Sequence, residues 1–271
     1  MGIFGRKKTN DQRLAEMIKG VEVPSFREEV LETLRLLRDP ESSLQDVARV
    51  VERDPGLVVR LLAAVNAAAF GPAKKIENVG HAVSYLGRGS TEQVVLAVAV
   101  KDALPKQRTA GYDPERFWRA AGRRAALARS IAAELHPSTL AESYTVGLLQ
   151  DMALPLLAHA RPTEYGPLLE AWHSDPREGL DGLEQRVLGF DHSEVGDRLG
   201  RQWGLPERLT RAIGCHHDDS ASDELVPPAV RLVAVLPESE GGHERFVEHG
   251  RTNFGLDPDW LHGLAKRAAA A

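Results

Sequence analysis

Cys215 stands directly before His216, a thiol beside an imidazole, which is the pairing that nucleophilic thiol catalysis uses. Adjacent residues on a helix point about 100° apart, so Cys215 reads instead as a small packed side chain. A second group is cationic: Arg119, Arg123, Arg124 and Arg129, with Arg119 and Arg123 at helical i,i+4 spacing. Guanidinium is a planar donor fork for phosphate, which makes Arg119 and Arg123 candidates for a ligand or partner surface; a solvated basic face is the plainer reading of the run. Asn66 lies in an apolar, alanine-rich stretch. A buried amide must be hydrogen-bonded, so Asn66 is expected to fix the start of a neighbouring segment, with ligand contact as the alternative. Trp118, Trp172, Trp203 and Trp260 read as core or boundary anchors, because no basic groove accompanies them.

The elements that carry these residues are helical. Asp54-Pro55 and Asp113-Pro114 each put a capping carboxylate before a proline whose missing N–H costs nothing at the first helical position. Ser90 to Gln93 and Asp181 to Glu184 have the pattern of capping boxes, while Gly71-Pro72 and Gly204-Leu205-Pro206 are stop signals. Phe26, Val30, Leu34 and Leu37 form one apolar stripe at helical spacing, and Leu57, Leu61 and Val65 another. The run Val94 to Val100 fits a strand or a helix; the cap at Ser90 and the lack of a pairing partner favour a buried helix. No alternating series appears, so the fold is expected to be all-α.

With 271 residues, the chain is long enough for one large domain or two small ones. Its net charge of −5 argues against broad binding to nucleic acid or anionic membrane, so no nucleic acid is expected. One cysteine rules out an internal disulfide framework and points to a reducing cytoplasm. The longest aliphatic run falls far short of the ~20 residues a membrane span needs. Polar, breaker-rich stretches divide the chain into a flexible basic leader (1–20), an N-terminal bundle (21–105), a C-terminal bundle (106–240) and a helical tail (241–271) whose last helix is expected to begin at Asp257-Pro258.

Motif order now adds a family. Val23-Pro24-Ser25-Phe26, Asp54-Pro55-Gly56-Leu57, Leu61 to Phe70 and Ile76 to Gly87 occur in that order in the first half. Trp118, Gly147 to Ala153, Asp191 to Gly196, Trp203 to Pro206 and His216-His217 follow in the second. Together they resemble an HDOD domain, the HD-related output domain of bacterial signalling proteins; Ala67 replaces the usual serine after the asparagine. The resemblance implies two packed helical bundles, the C-terminal one a degenerate HD-domain-like fold.

HD phosphohydrolases use imidazoles and carboxylates that converge on divalent ions, so that a bound water loses its proton near neutral pH. Gly147 to Ala153 resembles their Gly-Leu-Leu-His-Asp-Ile-Gly motif with Gln150, a neutral amide, in place of histidine. The early histidine position falls near Ala120 and the late aspartate position near Val235, and neither region contains the required residue. The relic site is then Gln150, Asp151, His192, His216 and His217. Asp151, His192 and His217 are the metal candidates, but with so much of the ligand set missing no metal or other cofactor is expected. Because His216 and His217 are adjacent, at most one is expected to face the pocket squarely. The reading that follows is a non-catalytic signal-transduction or scaffold protein acting through a regulatory protein partner. The alternatives are a metal-dependent phosphodiesterase with a reduced ligand set, or a degenerate site that binds a cyclic dinucleotide without hydrolysis.

Overall fold

The computed structural model describes residues 25–67, 70–175, 179–236, 238 and 243–270. The basic leader and all of the break at 237–242 except Glu238 lie outside the described residues. Four helices come first: α1 (Glu28–Arg38), α2 (Leu44–Val51), α3 (Pro55–Val65) and α4 (Val79–Ala103). After a turn come α5 (Pro114–Leu135), a short 3-10 segment (Pro137–Thr139), α6 (Leu140–Leu149), α7 (Ala153–Ala160) and α8 (Pro162–Ser174). The chain continues through α9 (Leu180–Val187), α10 (His192–Gln202), α11 (Glu207–Gly214), α12 (Pro228–Val233), α13 (His243–Phe254) and α14 (Pro258–Ala270). The described residues contain no strand, only an isolated bridge between Thr109 and Tyr112. No helix among them is long and apolar enough to cross a membrane.

Both Asp-Pro pairs start helices as expected. Asp54 accepts from the N–H groups of Gly56 and Leu57, and Asp113 from those of Glu115 and Arg116. Val94 to Val100 is helical, and α14 begins at Pro258. Two caps fall elsewhere than the sequence patterns suggest. In α4 the break lies at Gly87 (φ 72°, ψ 173°), and Thr91 spends its hydroxyl on the Gly87 carbonyl, so Ser90 opens no new helix. That conformation is essentially restricted to glycine. Further on, α9 starts after Gly179 without a side-chain cap, and Glu184 is fully buried rather than capping.

The largest apolar cluster runs through both halves of the chain, from Val30, Leu34 and Leu57 through Val95 to Leu149, Phe190 and Ile213. A second cluster lies on α5, where Leu127 and Ile131 are covered by Leu232 of α12, Phe246 of α13 and Leu261 of α14. Helix α5 thus serves as a wall for two sets of neighbours. Its approach to α6 is set by Gly147, where an added Cβ would meet Ala125 Cα and Ala128 Cβ at 3.2 Å.

Candidate functional site

The close contact of α5 with α6 has a chemical consequence. It places Arg124, only 2% exposed, beside Asp151 on the turn after α6, with Nη2 2.5 Å from Oδ2. The arginine run is therefore not one solvated face, since Arg124 points inward while Arg119 is exposed. Arg123 donates to the Glu238 carbonyl at 2.8 Å, and the Arg129 guanidinium lies 4.7 Å from the centre of the Phe70 ring.

Around the other oxygen of Asp151 stand three imidazoles. His192, the first residue of α10, and His216 each bring Nε2 to 3.3 Å from Oδ1. His217 Nε2 is 3.1 Å from His192 Nε2. One ligand atom from each of Asp151, His192, His216 and His217 lies within 4.8 Å of all the others. Both adjacent histidines enter the cluster, contrary to the expectation that at most one could. The helical rule does not apply to them, because α11 ends at Gly214 and residues 215–217 form a turn. Gly214 itself was the available signal of that helix end.

Two of the rings have their orientation fixed from behind. His216 Nδ1 donates to the Ile213 carbonyl at 2.6 Å, which turns Nε2 towards the cluster. His192 Nδ1 lies 2.6 Å from Glu184 Oε2, which also accepts from the His192 backbone N–H, while the Tyr165 hydroxyl donates to Oε1. Glu184 is a site residue that sequence reasoning missed, because its spacing from Asp181 reads as a helix cap.

The electrostatics follow from this arrangement. Burial works against the Asp151 charge, but Arg124 and the hydrogen bonds of His192 and His216 hold its carboxyl well below the usual range. Burial also opposes a charged His192, yet Glu184 and Asp151 raise it well above an ordinary imidazole. His217 goes the other way, pushed down by burial and by the neighbouring His216 and His192. Without a metal, then, a cationic His192 donates from Nε2 and a neutral His217 can accept. The donor set suits a borderline divalent ion: three imidazole nitrogens, two with Nδ1 anchored, and one carboxylate oxygen.

Gln150 does not join them. It is fully buried, and among the described residues neither its Oε1 nor its Nε2 has a hydrogen-bond partner. The Asn66 amide is committed internally, donating to the Ile76 and Leu62 carbonyls and accepting from the Ile76 N–H, each at 2.8 Å. Cys215 is half-buried, and burial together with Asp218 and Asp197 raises its thiol above the ordinary value, which disfavours a reactive thiolate. Over the cluster opens a cavity of about 200 Å³ whose walls include Trp172, Arg231, Val235 and Arg245. Val235 thus lines the site near the position where the late aspartate would stand. The early position is less well matched by the sequence register, for it is Arg124, one helical turn beyond Ala120, that reaches Asp151.

These features define an all-helical domain with a buried His/Asp cluster. The family model for the HDOD domain matches residues 23–219, and the chain belongs to the HDOD family. It is 28% identical over 218 residues to an uncharacterized protein of Treponema pallidum, covering 79% of this chain but only 41% of that relative's length. Among solved structures it is similar to a "Putative phosphohydrolase" from Shewanella amazonensis SB2B (TM-score 0.71, 21% identity, 95% of this chain and 93% of that one). It is also similar to an HDOD domain protein of unknown function from Geobacter sulfurreducens (TM-score 0.67, 20% identity, 95% and 94% covered). A "Putative signal transduction protein" from Marinobacter aquaeolei VT8 has a TM-score of 0.70 at 20% identity, with 96% of this chain and 63% of that one covered. At these identities the likeness is one of fold.

Proposed function

We propose that this chain is a non-catalytic signalling protein that acts by engaging a regulatory protein partner, and that its HD-like pocket is a one-ion site rather than a two-ion hydrolytic centre. The observation that carries this reading is the division of Asp151, whose second oxygen is taken by a protein cation, Arg124. Gln150, which stands where the motif has a histidine, adds no donor to the cluster. Asp151, His192, His216 and His217 would hold the ion, and such an ion would supply Lewis acidity and an acidified water. A lone ion lacks the partner that a two-metal displacement uses to stabilise both attacking and leaving oxygens. In this reading an N-terminal bundle (21–105) and a degenerate HD-like bundle (106–240) form the interacting body. Leu31, Val59 and Tyr85, exposed on α1, α3 and α4, offer it apolar contacts.

A second reading, a nucleotide bound without cleavage, is favoured by Arg231 and Arg245 on the cavity wall. At about 200 Å³ the cavity is below the ~300–1,000 Å³ of sites that enclose drug-sized ligands, so it suits a phosphoryl group rather than a whole cyclic dinucleotide. Protein loaded in turn with Mn²⁺, Fe²⁺ and Zn²⁺ is to be assayed against a chromogenic phosphodiester and cyclic dinucleotides. We expect no turnover that Asp151→Asn or His192→Ala abolishes. Metal-dependent turnover lost in both variants would overturn the non-catalytic reading.

A further inference from the structure

A buried carboxylate needs a positive partner, and in a metal centre the ion supplies it. Asp151 already has one. Its Oδ2 lies 2.5 Å from Arg124 Nη2, while Oδ1 faces His192 and His216 at 3.3 Å. Guanidinium does not lose its proton in proteins, so this positive charge is permanent. Nor is Arg124 free to swing away: it is 2% exposed, and Gly147 lets its helix lie against α6 with the Arg124 carbonyl 3.3 Å from where a Cβ would stand.

We propose that Arg124 is a built-in cation that keeps the donor cluster assembled without metal, limits the site to one ion and makes that ion readily exchangeable. This rests on the one-ion reading given above. An ion seated among the three Nε2 atoms and Asp151 Oδ1 lies across a single carboxylate from the guanidinium, in a buried setting where like charges are poorly screened. Both compete for the same negative charge. The carboxylate edge through which a second ion would bind is occupied. Holding the apo cluster together with a protein charge also removes any folding requirement for metal, unlike sites whose ligands assemble only around the ion. Occupancy then follows the ambient ion concentration, which is the behaviour of a sensor rather than of a resident cofactor.

The test uses metal-stripped full-length protein and Mn²⁺ or Zn²⁺ alone as probe, with affinity by calorimetry, stoichiometry by elemental mass spectrometry, and thermal unfolding with and without the ion. Arg124→Gln keeps a polar side chain on this helix face but removes the charge; Arg124→Met removes both charge and polarity; Arg124→Lys keeps the charge. The wild type is expected to bind one ion, Arg124→Gln to bind it at least about tenfold tighter, and Arg124→Lys to stay near wild type. Arg124→Met is expected to melt lower without metal and to recover when the ion is added. A purely structural arginine would weaken ion binding in Arg124→Gln, and that result would overturn the proposal. Equal affinities for wild type and Arg124→Gln would remove the arginine's role while leaving the one-ion reading intact. Failure of all proteins to bind, or two ions in the wild type, would remove both.

Discussion

At the scale of residues, the site is a set of paired and unpaired polar groups with opposite expectations. Gln150 buries an amide without hydrogen bonds among the described residues, and unsatisfied buried groups cost roughly 1–3 kcal/mol each. Gln150→Leu is therefore expected to raise unfolding stability by about 1 kcal/mol, measured by urea denaturation; a clear loss would mean that the amide is satisfied in solution. Glu184 is the contrary case, holding His192 through two bonds and Tyr165 through a third. Glu184→Ala should lower stability by roughly 3–5 kcal/mol, because it strands a cationic His192 in the interior. His192 also sets a pH dependence. Its folded value is raised above the unfolded 6.5, so its contribution is full below that pH and fades as pH rises through the folded value. His217, pushed down, is neutral in both states well above 6.5 and adds no slope there. In metal-free protein, the melting-temperature gap between wild type and His192→Gln should narrow from pH 7 to 9.5; a widening gap would contradict the raised value.

At the scale of elements, sequence legibility tracked how local the cause was. Both Asp-Pro starts depend on a few adjacent atoms and could be read directly, as could the burial of Leu57, Leu61 and Val65. Asp151 and His192 could be located from motif order, since their neighbours are distinctive. Arg124 could not, because its burial is decided by how closely α5 approaches α6, which depends on Gly147 far along the chain. Glu184 was hidden for a similar reason: its partners Tyr165 and His192 lie on other helices. The break in α4 was displaced because Gly87 supplies a backbone geometry that no cap pattern announces. Two substitutions probe these points by thermal unfolding. Gly87→Ala should cost about 1–3 kcal/mol through backbone strain alone, since nothing lies within 4 Å of the added Cβ. Gly147→Val should cost at least as much through overpacking against the α5 backbone.

At the scale of the whole molecule, the family match stops at residue 219, but the core does not. Leu232, Phe246 and Leu261 close the far side of α5, so Leu261→Ala is expected to destabilise the protein by about 2–5 kcal/mol, as deletion of a buried side chain does elsewhere. Helix α5 is thereby gripped twice, by a charge pair on one side and by packed side chains on the other. In terms of backbone exchange with solvent deuterium, its middle turns from Ala120 to Ala132 have no local route to opening: releasing one grip leaves the other. Their amides should be among the last in the protein to exchange, at rates set by global unfolding, and the ordering of exchange along α5 would then report which of the two grips a bound ion or partner loosens first.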